Sequence, residues 1–181
     1  MVRVKRMKLG FIFRMPSFWR LSIVLVLSTP SNVPAAGDLF ERVSLQGLHS
    51  IQVVLEDFAP EVVKDGLDRD VLKIAIEEQL IQAGITIEEQ AEHALYVHLR
   101  TTAPMAGTYS YALNYEFLQL VLLFRAPEVV TWGNTWSHSQ IGTLPASEIG
   151  QVAVIIAQGI TLFIDDYQAS NSQDYQPAGS P

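Results

Sequence analysis

No cysteine occurs among the 181 residues. Disulfides, thiol nucleophiles, cysteine zinc sites and a lipid-modified N-terminal cysteine are thereby excluded. The signatures GxSxG, GxGxxG, HExxH and the P-loop are also absent. So is HxxxH, and the acidic stretch 65–70 lacks the order of a calcium loop. Carboxylates are plentiful, but Glu56-Asp57, Glu77-Glu78 and Glu88-Glu89 are adjacent pairs. Neighbours on a strand point to opposite faces, and neighbours on a helix do not face each other. These carboxylates therefore read as solvated charge rather than as a converging acid–base pair. No cofactor, no metal and no enzymatic activity are expected.

Basic residues are scarce beyond residue 35. Arg42, Lys64, Arg69, Lys73, Arg100 and Arg125 stand against nineteen acids, a formal charge of 6 − 19 = −13 for residues 36–181. Such a surface repels phosphate backbones and anionic headgroups, so nucleic acid is not an expected partner. A long apolar run near the start is missing as well. Leu21–Leu27 is only seven residues, whereas a membrane-spanning helix needs roughly 20.

What the first 35 residues do contain is six basic residues before position 21 and no acid, then LSIVLVLS, then TPSNVPAAG. A basic region, a short apolar core and small residues at a cut site describe a secretory signal peptide. Val33 and Ala35 place the cut after Ala35, and Met1, Met7 and Met15 are all candidate starts. Cleavage would leave no stable membrane anchor. The expected location is the periplasm. The expected organisation is a signal peptide over 1–35, one α+β domain over 36–168, and a disordered polar tail over 169–181.

Periodicity then places the elements. GLHSIQVVLEDF reads as a strand with Ile51, Val53 and Leu55 inward. APEVVKDG reads as a loop broken by Pro60 and Gly66. LDRDVLKIAIEEQLIQAG reads as a helix with Asp68 as N-cap, Leu72, Ile76 and Leu80 on the core face, Ile74 and Ile81 widening it, and Gly84 as the stop. A short strand at 85–89 and a strand at 94–102 follow, the latter with Leu95, Val97 and Leu99 inward. YSYALNYEFLQLVLLFR, residues 109–125, changes apolar phase after Phe117, which implies a β-bulge or burial on both faces. Ala126-Pro127-Glu128 reads as the turn into VVTWGNTWSHSQIG. A second helix starts near Ser147, its expected N-cap, with Gly159 inside it for close packing. The order β-α-β-β-β-β-α predicts a two-layer α+β sandwich. Two helices cover one face of a mostly antiparallel sheet of about five strands.

TWGNTWSHS, residues 131–139, leaves two readings open. In a regular strand Trp132, Trp136 and His138 share a face. They then form an aromatic shelf for a ligand or partner, extended by Tyr96 and Tyr111, with Tyr109 and Tyr115 nearby. Alternatively the tryptophans pack into the core.

The run VVLEDFAPEVVKDGLDRDVLKIAIEEQLIQAGITIEE, with ALYVHLRT after it, resembles a pattern of small exported proteobacterial proteins. Its layout is similar to the N-terminal domain of TolB and to LptE. That resemblance implies a periplasmic adaptor with a small sheet backed by two helices. The absent lipidation cysteine departs from LptE, and the absent propeller departs from TolB. The expected function is non-enzymatic binding of an envelope protein by a sheet edge or aromatic face. The alternative is a small-ligand or glycan carrier built on Trp132 and Trp136.

Overall fold

A computed structural model describes residues 38–102 and 104–172. The expected signal peptide, its cut site and the tail beyond Ser172 lie outside the described residues. The chain order is α1 (Asp38–Val43), β1 (Ser50–Leu55), α2 (Pro60–Lys64), α3 (Arg69–Gln82), β2 (Thr86–Ile87), β3 (Ala94–Thr101), β4 (Thr108–Leu123), β5 (Ala126–Pro145), a 3-10 turn (Ala146–Glu148) and α4 (Gln151–Asn171). The strands form one sheet in the order β2-β1-β3-β4-β5. β1 runs parallel to β2 and β3, while β3, β4 and β5 are antiparallel in turn. The fold is thus α+β with a mixed sheet whose long ladders are antiparallel.

Alternation decides the two faces. Ile51, Val53 and Leu55 of β1, Leu95, Val97 and Leu99 of β3, and Tyr109 through Phe117 at odd positions of β4 are buried toward the helices. Each strand thereby supplies one apolar row to a common core. From α3 come Leu72, Ile76 and Leu80; from α4 come Val152, Ile156, Ile160, Phe163 and Ile164. By length and composition alone α4 would pass for a membrane-crossing helix, but these side chains cover the sheet instead.

Helix ends follow local chemistry. The Asp68 carboxylate accepts from the Asp70 and Val71 N–H groups at the start of α3. At its end Gly84 adopts φ +89°. The Gly84 N–H donates to Ile81 O and the Ile85 N–H to Leu80 O, the paired bonds of a Schellman stop. Buried Ile85 and Leu80 add the apolar contact that accompanies it.

Several expectations are corrected. The segment read as a loop contains α2, because Pro60 sits at its first helical position, where the missing N–H is needed by no carbonyl. Ile74 and Ile81 do not widen the core face; both are exposed. Ser147 is not the cap of the last helix. The backbone is already helical at Ile149 and Gly150, so the 3-10 turn runs into α4 with no side-chain cap. That helix also continues through Ala169, where the tail was expected to begin. Asn171 holds its end, accepting from the Gly47 N–H and donating to Leu45 O. The β4–β5 turn falls at Phe124-Arg125 rather than at 126–128. Pro127 lies instead in a register break between Ala126 and Val130, where its missing N–H is no loss. α1 escaped notice because six residues give too short a period to read; tertiary contacts hold it.

Candidate functional site

The stretch 131–139 is decided by one residue. Phe117 pairs with Trp136, but Leu118 pairs with Asn134, so Thr135 is left over as a β-bulge. Its hydroxyl donates to Phe117 O at 3.4 Å and accepts from Gln119 Nε2 at 2.7 Å. Its carbonyl accepts from Ser44 Oγ at 3.2 Å, and Gln119 Nε2 also donates to Ser44 O. An extra residue in one strand shifts every later side chain to the other face. Trp132, opposite Leu120, therefore lies on the open face of the sheet, while Trp136, opposite Phe117, lies under the helices.

The expected shelf is thus split. Trp136 is 3 % exposed and Trp132 is 55 % exposed. The Trp136 indole meets the Phe163 ring edge-on at 5.0 Å and donates from Nε1 to Asp166 Oδ2 at 2.9 Å. Asp166 Oδ1 accepts from Arg42 Nε at 2.6 Å, so one carboxylate ties α1, β5 and α4 together. His138 is half-buried on the helix side, its ring 5.7 Å from that of Tyr115. Tyr111 is buried where Gly142 leaves room for its ring. Tyr96 faces the open side and donates to a Glu56 carboxylate oxygen. That hydrogen bond, then burial, then the charges of Glu56 and Glu116, raise its phenol above the usual range, with Arg100 opposing. The structure brings Trp136 and His138 to one cleft of about 220 Å³, with Arg42 and Asp166 beside them. It brings neither Trp132, Tyr96 nor Tyr111 to that cleft. A ligand stacked across both tryptophans has no surface on which to lie.

The open face carries a second cluster. His98 is buried beside Tyr96, the rings 5.7 Å apart, and His98 Nδ1 stands 3.7 Å from Glu56 Oε2. Among the described residues neither ring nitrogen has a hydrogen-bond partner. Among the described residues no three His, Asp or Glu side chains are placed to hold a metal ion.

The feature that sequence reading missed lies beyond the bulge. There β4 keeps its alternation, so the phase change after Phe117 turns Leu118, Leu120 and Leu122 to the open face rather than burying them. With Val130, Trp132 and the turn residue Phe124 they make an apolar arm. Leu122 is 66 % exposed and Phe124 fully so. Only Arg125 and Glu128 bring charge to residues 117–147. The sequence signal was the phase change itself, but it marks β4, whereas the extra residue sits in β5.

No protein-family model matches the chain, and no curated protein matches it at a significant level. Three solved structures with a similar layout are bacterial. A PelC dodecamer from Paraburkholderia phytofirmans is matched over 67 % of this chain and 87 % of its own, at 16 % identity and TM-score 0.35. For a minor lipoprotein from Acinetobacter baumannii the values are 69 %, 92 %, 10 % and 0.35. For lipoprotein GNA1162 from Neisseria meningitidis they are 63 %, 99 %, 11 % and 0.32. Neither TolB nor LptE is among these three. Two of them are named as lipoproteins, whereas this chain has no cysteine to carry a lipid. At such identities and TM-scores the likeness assigns neither family nor function.

Proposed function

We propose that the chain is a non-enzymatic interaction protein of the bacterial envelope. It works in the periplasm after export and holds a partner protein on the β4–β5 arm. The observation that carries this reading is the exposed apolar set Leu120, Leu122, Phe124, Val130 and Trp132 on one hairpin end. Contiguous apolar patches of this kind mark interaction surfaces. The basic and apolar first 35 residues support export, and the acidity of the remainder argues against nucleic acid as the partner.

The test replaces Leu122 and Phe124 together with glutamate. Both side chains are exposed, so folding should survive. Chemical cross-linking in intact cells should then lose an adduct that the wild type forms with an envelope protein. An adduct pattern that the double variant leaves unchanged would refute the arm as the binding element.

A further inference from the structure

Among the described residues, nothing pairs with the edge of β5 beyond Trp136. β5 is an outer strand of the sheet. Among the described residues its backbone meets one hydrogen-bonding group from outside the ladder, Ser44 Oγ at Thr135 O, and nothing bonds the edge from His138 to Leu144. Exposed edges are normally protected by charge, proline or a cover. This one has no charged residue between Glu128 and Glu148, and no proline between Pro127 and Pro145.

We infer that this edge pairs with the same edge of a second copy, antiparallel, about a two-fold axis at Ile141. The inference goes beyond the interaction reading above: it concerns a different part of the hairpin and a different partner. Two observations select a second copy. Residues 36–181 carry a formal charge of −13, so two copies repel over most of their surfaces but not along an uncharged strand. A partner of other chemistry would find no charge here to recognise. The strand is also self-complementary. An axis at Ile141 sets its exposed side chain, 82 % accessible, against Ile141 of the second copy. It sets Ser139 opposite Thr143, and His138 opposite Leu144, each pair on one face. Apolar and Ser–Thr cross-strand pairs of this kind stabilise antiparallel ladders. A two-fold interface requires such reciprocity. Glu41 of α1 and Ser44 just after it contact β5 at Ser137 and Thr135, outside the paired stretch.

Sedimentation of the purified protein tests this. The wild type should sediment as two chains and Ile141→Lys as one, a halving of mass, with an unchanged circular dichroism spectrum. Because the chain lacks cysteine, Ile141→Cys gives a clean second readout. Oxidation should link it to its own copy, while Leu122→Cys on the arm should stay unlinked. A single-chain wild type, an Ile141→Lys variant that remains at two chains, or an Ile141→Cys variant that stays reduced would overturn the proposal. The arm reading is scored separately. The Leu122 and Phe124 glutamate pair should leave the mass at two chains while losing the envelope adduct.

Discussion

The two ends of the β4–β5 hairpin are built alike and treated differently. Both alternate, both are rich in aromatic and β-branched residues, and both pair in one ladder. Before Leu118 the odd positions of β4 are buried under the helices, and Tyr115 lies so close to α4 that only glycine fits above it. After Leu118 the apolar side chains turn to the open face and stay exposed. Exposure therefore follows from which face of the sheet the apolar residues take, and the Thr135 bulge sets β5 to match. Apolar character alone does not separate core from interface; cover does.

The largest effect expected is a contrast between the two tryptophans. Trp136→Ala should cost about 3–5 kcal/mol, the range for emptying a core aromatic site. It also strips Asp166 of its indole donor. Trp132→Ala should stay within about 0.5 kcal/mol, as an exposed substitution does. Urea melts of the two variants measure the difference. In a protein with Trp19 replaced by Phe, acrylamide should quench Trp132 strongly and Trp136 weakly. Equal quenching would mean that the bulge does not separate them.

Two glycines sharpen the same comparison at smaller scale. A Cβ at Gly159 would stand 2.1 Å from the Tyr115 ring, and one at Gly133 would stand 2.8 Å from a Val121 methyl. Tyr115 is fully buried, and its hydroxyl meets the carbonyls of Ile155 and Ile156 at 3.2 Å, so it has nowhere to go. Alanine gains about 1 kcal/mol of helix propensity over glycine, but overpacking at the upper end of about 1–3 kcal/mol exceeds that gain. Gly159→Ala should therefore destabilise, by about 2 kcal/mol. Gly133→Ala should cost less, because Val121 is half-buried and free to turn. A melt in which Gly159→Ala is the milder change would break the comparison.

The smallest effect is confined to alkaline solution. Tyr109, inside the covered half, donates to Asp65 Oδ2 at 2.7 Å. That bond, then burial, then the charges of Asp65 and Glu61, push its phenol up to about 12. Burial raises Tyr115 as well, with Tyr111 adding to it. A raised folded value means the native state holds the proton more tightly. The associated stability is complete below about pH 10, the unfolded value, and is lost as pH rises toward about 12. Unfolding measured across that window should show the loss in the wild type and less of it in Tyr109→Phe. A slope that the substitution leaves unchanged would contradict the Asp65 bond.

Much of the core was legible. The inward rows of β1 and β3, the core stripe of α3, and its Asp68 cap and Gly84 stop all follow from spacing and local chemistry. Gly159 was legible as a close-packing site, though not its partner, Tyr115. The candidate site was legible only in part. The aromatic residues drew attention to the right strand, but a regular strand put Trp132 and Trp136 together. The exposure of Leu120, Leu122 and Phe124 was hidden, because an apolar alternation reads the same whether or not a helix covers it.

The sequence by itself determined the periodic elements and their apolar rows, since those depend on residues a few positions apart. It also determined the absence of thiol chemistry and the acidity beyond residue 35. Strand order, the parallel placement of β1, the bare edge of β5 and the division of the tryptophans were decided only by the tertiary structure. Each depends on pairing between distant segments. A bulge is a property of two strands in register, not of the nine residues that contain it.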